Sequence, residues 1–243
     1  MSGFHAVTVS ATIFTIRRAI MAAVISAATV IALSACAGTS DHAATLERLV
    51  ARNPNPEYWH ELLQLARNEK GLTDEQVMDI LRLRLAVGDL KTDADYQDAA
   101  EQALIVGYPL EAKAVMDKGI ASKAVQSGER VARLTNKIEA DRVFAEPATR
   151  ALATRAATNP NASVKLGLIY WTAGKGKEAE EAVRNGMKGK LTDPEGAKVA
   201  LGHALLAQGK KREAIQAFNS VARDSKEAPI ARLWAIYAQK AYS

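Results

Sequence analysis

Three short stretches of this chain hold residue types that begin patterns able to do chemistry. His60-Glu61-Leu62-Leu63 begins like the helix of a zinc peptidase, but Gln64 stands where the second ligand would be. Asp93-Ala94-Asp95-Tyr96-Gln97-Asp98 begins like a calcium loop, yet Asp98 occupies the position that needs glycine for the turn. Gly174-Lys175-Gly176-Lys177 lacks the upstream glycine and following hydroxyl residue of a phosphate-binding loop. The four histidines, His5, His42, His60 and His203, include no pair at metal-ligand spacing. No Gly-x-Ser-x-Gly elbow occurs, and Cys36 is the only cysteine, which excludes an intramolecular disulfide framework. The expectation is a protein without catalytic residues, metal or cofactor, not an enzyme.

What positions these residues is read from composition and periodicity. Among 243 residues, 47 are alanine and only 5% are aromatic, which favours closely packed helices over a large sheet. The net charge of +5 overstates the basic character. Arg17 and Arg18 belong to a leader without acidic residues, and the rest carries 30 basic and 27 acidic side chains, interspersed. Lys175-Gly176-Lys177-Glu178-Ala179-Glu180-Glu181 is a solvated helical surface rather than a phosphate-tracking stripe, so no nucleic acid is expected as partner.

Residues 1–35 differ from everything that follows. Arg17 and Arg18 precede an uncharged run from Ala19 to Ala35, the order of a secretory signal peptide. Leu33-Ser34-Ala35-Cys36 at its end resembles the bacterial lipoprotein signal. That resemblance implies lipidation of the Cys36 sulfur, cleavage before it and a lipidated tether over 36–41. Ala37, where aspartate would signal inner-membrane retention, implies a protein anchored by its lipid on the periplasmic face of the bacterial outer membrane. Two other readings stay open: an incidental cysteine beside an ordinary cleavage site, or an uncleaved anchor whose 17 residues are short for a span.

The later chain repeats. Leu166-Gly167, Tyr170, Gly174, Ala179 and Val183 recur 35 residues on as Leu201-Gly202, Leu205, Gly209, Ala214 and Phe218. A degenerate copy runs through Ala99-Ala100, Ala103, Gly107, Ala112 and Met116. Each glycine suits the left-handed end of a helix, and each alanine lets a second helix approach the first. Helix starts are marked at Thr73-Asp74-Glu75, Asp93, Asn159-Pro160 and Asp193-Pro194. The last segment, Ala228–Tyr242, places Ile230, Leu233, Trp234, Tyr237 and Ala241 on one face.

This pattern resembles the tetratricopeptide repeat. It departs from that family at Ser163 and Lys198, where a tryptophan is common, and at Leu191 and Lys226, where a proline is. The implied fold is all-α, a solenoid of helical hairpins closed by a C-terminal capping helix. Residues 42–158 form a degenerate repeat region, and 159–243 form two repeats plus the cap. The resemblance puts the partner-binding groove on the first helix of each unit: Asn161, Val164, Leu168 and Trp171, then Val199, His203 and Leu206. The degenerate unit would add Gln97, Glu101 and Leu104. The expected function is an adaptor that binds an envelope protein or peptide in assembly or secretion. A self-associating scaffold and a cell-wall-acting enzyme are the alternatives.

Overall fold

The computed structural model describes residues 41–240. Cys36, the leader and Ala241 lie outside the described residues. Two compact units divide at Leu46, and of the first only the opening turns of a helix, α1 (residues 41–52), are described. The second unit, from Glu47, contains ten further helices and, among the described residues, no strand: α2 Pro56–Arg67, α3 Asp74–Ala86, α4 Asp93–Ile105, α5 Pro109–Ala121, α6 Glu129–Ala156, α7 Pro160–Thr172, α8 Gly176–Gly186, α9 Pro194–Leu206, α10 Lys211–Asn219 and α11 Ala228–Lys240.

Local chemistry sets the boundaries. Thr73 and Gln76 form a reciprocal capping box at α3, and Thr92 and Asp95 form another at α4. The cap of α4 is thus Thr92, one residue before the Asp93 expected from sequence, because a threonine followed by Asp95 satisfies two amides at once. Asn159 and Asp193 cap α7 and α9, each followed by a proline that has no amide to satisfy. Gly107, Gly174 and Gly209 take positive φ after α4, α7 and α9. In each case the next amide donates back to the carbonyl five residues earlier: Tyr108 to Ala103, Lys175 to Tyr170, Lys210 to Leu205.

Helices pair as hairpins, α4 with α5, α7 with α8 and α9 with α10. Ala112, Ala179 and Ala214 are fully buried at these crossings. A methyl group added at Gly167 would collide with Val183, and one at Gly202 with the ring of Phe218. The recurring glycine and the residue 16 positions later are therefore the two sides of one contact. Ser163, which stands in place of tryptophan, is buried and donates to the Ala182 carbonyl of α8 at 2.7 Å. Lys198 likewise donates to the Ser220 carbonyl at 3.0 Å. A hydrogen bond joins the paired helices at both sites.

The capping helix does more than cover α10. It also packs against α3, and the Gln76 side chain donates to the Lys226 carbonyl at 2.9 Å. Helix α6 differs from the rest in its 28 residues and its internal Pro147. Its first half buries Val131, Leu134 and Ile138, while Val143 and Phe144 in the second half are each 71% exposed.

Candidate functional site

Helix α3 has no polar face. Val77, Met78, Ile80, Leu81 and Leu83 point around its whole circumference and are buried, so Arg82 and Arg84 must be buried with them. Each guanidinium is matched by carboxylates. Arg84 donates to Asp89 at 2.7 Å and Asp95 at 2.9 Å, and His60 meets the other oxygen of Asp89 at 2.7 Å. The histidine of the zincin-like stretch therefore ties α2 to the α3–α4 connection. Arg82 donates from Nε and Nη2 to both oxygens of Glu111, at 2.8 and 2.7 Å, and from Nη1 to Asp79 at 2.7 Å. Its guanidinium also lies over the rings of Trp171 and Tyr108, 4.9 and 5.2 Å from their centroids.

His203 of α9 completes the cluster. It is 1% exposed and stacks on Trp171 at 4.2 Å with the rings 5° from parallel. The Trp234 ring of α11 meets it edge-on at 4.6 Å. Its Nε2 is 3.5 Å from Asp79, and neither ring nitrogen has a hydrogen-bond partner.

Arg82 and His203 stand between two concavities. One, of about 420 Å³, opens among the first turns of α3, α7, α9 and α11 and is lined by Glu75, Asp79, Tyr108, Val164, Leu168 and Glu227, among others. The other, of about 320 Å³, lies toward the ends of the same helices, against Glu111, Trp171, Leu206 and Trp234.

Electrostatics inside the first cavity follow from burial. Burial pushes the Asp79 carboxyl up, but His203 and Arg82 outweigh it and hold the group below its ordinary range. Burial raises Glu75, and the charges of Asp79 and Glu111 add to the rise against the opposing Arg82 and Lys165. Glu227 is raised by burial and then by Asp193. Burial and the charge of Glu75 push the Tyr108 phenol up, so it stays protonated.

The groove residues expected from sequence separate into three places. Asn161, Val164, Leu168, Val199 and His203 line the 420 Å³ cavity, and Asn161 also accepts from the Thr192 amide and hydroxyl at 3.0 Å. Trp171 and Leu206 meet His203 on the far side, in the second concavity. The three residues of α4 lie apart from both. Gln97 is buried and donates to Asp93, Glu101 pairs with Arg130 of α6 at 3.1 Å, and Leu104 packs against the core of α3 to α6.

Sequence reasoning missed Glu75, Asp79, Arg82, Tyr108, Glu111 and Glu227. The available signal was α3 itself: a helix apolar on all sides that still contains Asp79, Arg82 and Arg84 must pair them internally. Among the described residues no group of three or more metal-ligating side chains is assembled, and no helix is long and apolar enough to cross a membrane. The chain matches no protein-family model, no curated protein and no solved structure.

Proposed function

We propose that this chain is a lipid-anchored adaptor of the bacterial envelope, built from tetratricopeptide-type repeats. It is held at Cys36 on the periplasmic face of the outer membrane and receives a protein or peptide on the inner face of its helices. The observation that carries this reading is convergence: five side chains assigned to a groove from the repeat pattern line one cavity with α3 and α11. Repeat arrays present concave surfaces of this kind to extended partners. The Ala19–Cys36 stretch supports the address, and the 35-residue period with its helix-ending glycines supports the repeat type.

The test is crosslinking in intact envelopes followed by mass spectrometry, with the native chain beside a Val164→Arg, Leu206→Asp variant of unchanged helical circular dichroism. A specific envelope protein lost in the variant is the expected result. Identical crosslinks from both proteins would remove the inner face from the proposal. The anchor is tested separately: Cys36→Ala should abolish fatty-acid labelling, and persistent labelling would refute lipidation at that sulfur.

A self-associating scaffold is a second reading with its own observation. Val143 and Phe144 stand exposed beside a cleft of about 270 Å³ formed by α6, α7 and the α4–α5 turn. Sedimentation should then show concentration-dependent mass that Phe144→Glu removes. A monomer at every concentration excludes it.

A further inference from the structure

We infer that the cavity framed by α3, α7, α9 and α11 is a seat for one ammonium or guanidinium group carried on an aliphatic stem. The seat rests on the adaptor reading only for where that cation comes from. Its chemistry is argued from which polar groups in the cavity are already used.

The guanidinium donors of the interior are consumed. Arg82 directs Nε, Nη1 and Nη2 at Glu111 and Asp79. The acceptors are not. Asp79 gives only Oδ1 to Arg82 and to the His203 contact, which leaves Oδ2 without a protein donor. Glu75 makes no ion pair or hydrogen bond, and Glu227 has its own backbone amide and the Lys226 ammonium, at 3.6 Å. Two buried polar groups that line the same cavity are unpartnered as well: the Tyr108 hydroxyl, 2% exposed, and Nδ1 of His203, 1% exposed.

Buried polar atoms without partners are costly, and here two of them edge a cavity large enough for a ligand. A group that brings several N–H donors and one positive charge would serve several of these acceptors at once. It would also relieve the raised Glu75 and Glu227 carboxyls. An anion would meet Asp79 and Glu227 at the interior. The apolar walls, Val164, Leu168, Val199 and Ile230, fit the methylenes of a lysine-like chain. Lys165 and Lys226 also line the cavity with exposed side chains, and of the acceptors Glu227 is the one that Lys226 already approaches, at 3.6 Å.

The test is calorimetric titration of the full-length protein in mild detergent with 1,5-diaminopentane and with a capped Ala-Lys-Ala peptide. A capped Ala-norleucine-Ala peptide and hexanoate are the neutral and anionic probes. Both cations should bind, with the norleucine peptide weaker by about tenfold or more. Glu75→Gln, at an exposed and unpaired side chain, should weaken the cations about three- to tenfold without loss of fold. Tyr108→Phe should weaken them by a similar factor while the melting temperature of the ligand-free protein does not fall, since the hydroxyl has no partner there. No heat with either cation from folded protein would overturn the seat. So would equal binding of norleucine or hexanoate, or cation affinities unchanged in both variants. Binding of the diamine but not the lysine peptide keeps the seat and removes the peptide as its source. Absence of all cation binding beside a crosslink that Val164→Arg, Leu206→Asp abolishes removes the seat and leaves the adaptor standing.

Discussion

At the crossing of α7 and α8, Gly167 faces Val183, and at α9 and α10, Gly202 faces Phe218. At the matching positions of α4 and α5 stand Ala100 and Met116, both buried. The later pairs bring their backbones together by omitting a side chain and filling the gap from the partner helix. The earlier pair keeps a methyl on one helix and a flexible thioether on the other, a combination that adapts to irregular gaps. Charge distribution differs in parallel. Gln76, Arg82, Arg84, Asp89, Gln97 and Gln102 are buried between α3 and α4, whereas Ser163 and His203 are the buried polar residues of α7 to α10. The regular region is specified by shape. The irregular region is specified by matched charges, and α3 is the place where the two meet.

The largest test of that contrast is Arg82→Ala. Removing a 5%-exposed guanidinium takes from Asp79 and Glu111 the ion pair that each makes with it. The expected loss is about 3–5 kcal/mol, read as a lower denaturation midpoint. Lys198→Ala in the regular region, where the ammonium pairs with Glu195 at 2.7 Å near the surface, should cost about 1 kcal/mol or less. Equal effects from both variants would mean that charge matters no more between α3 and α5 than among the repeats.

A pair of exchanges probes shape instead. Gly202→Ala improves helix propensity, yet its methyl lands on the Phe218 ring, which is itself fully buried and cannot swing away. The net expectation is a loss of about 1–3 kcal/mol. Ala100→Gly makes the opposite change and should cost about 1 kcal/mol, from backbone entropy and a lost buried methyl. If Gly202→Ala stabilises the protein, the two regions do not differ in how closely their helices cross.

These residues also explain what could be read before any coordinates. Gly107, Gly174, Gly209, Ala112, Ala179 and Ala214 announce themselves because a turn and a close crossing each tolerate few residue types. The hairpins, their starts and the last helix follow from them. The cavity was only half legible. Val164, Leu168, Val199 and His203 recur at positions where the repeat pattern assigns a face, so they could be placed together. Arg82, Asp79 and Glu111 could not, because charged side chains at helical spacing read as a solvated surface unless the whole circumference of α3 is considered. Trp171 shows the other limit. The repeat pattern places it in the groove, but the ring is engaged by His203 and Arg82 through contacts from helices far apart in sequence. The α4 residues were grouped with a groove by repeat register alone, and α6 intervenes with Arg130.

The smallest effect concerns a place where the regular region does use charge. Glu180 of α8 accepts from Gln208 at 2.8 Å and Lys210 at 2.7 Å through one oxygen, and from Arg184 at 2.8 Å through the other. Burial pushes its carboxyl up, but these three donors outweigh burial and bring it from 4.5 to about 2. A depressed carboxyl stabilises the fold above its unfolded value and loses that contribution as pH falls from 4.5 toward 2. Glu75 and Glu227 have the opposite sign: their raised carboxyls favour the fold as pH falls through their values, so wild-type stability alone mixes the two. The difference between wild type and Glu180→Gln isolates the clamp. That gap should be about 1 kcal/mol near pH ~7 and close on acidification toward pH ~2. The hydrogen bonds that the Gln208 amide donates to the Gly176 and Ala204 backbone carbonyls do not titrate and should persist in the variant. A gap that stays constant with pH would mean that these neutral bonds hold α8 against α9, and that shape alone governs the regular region.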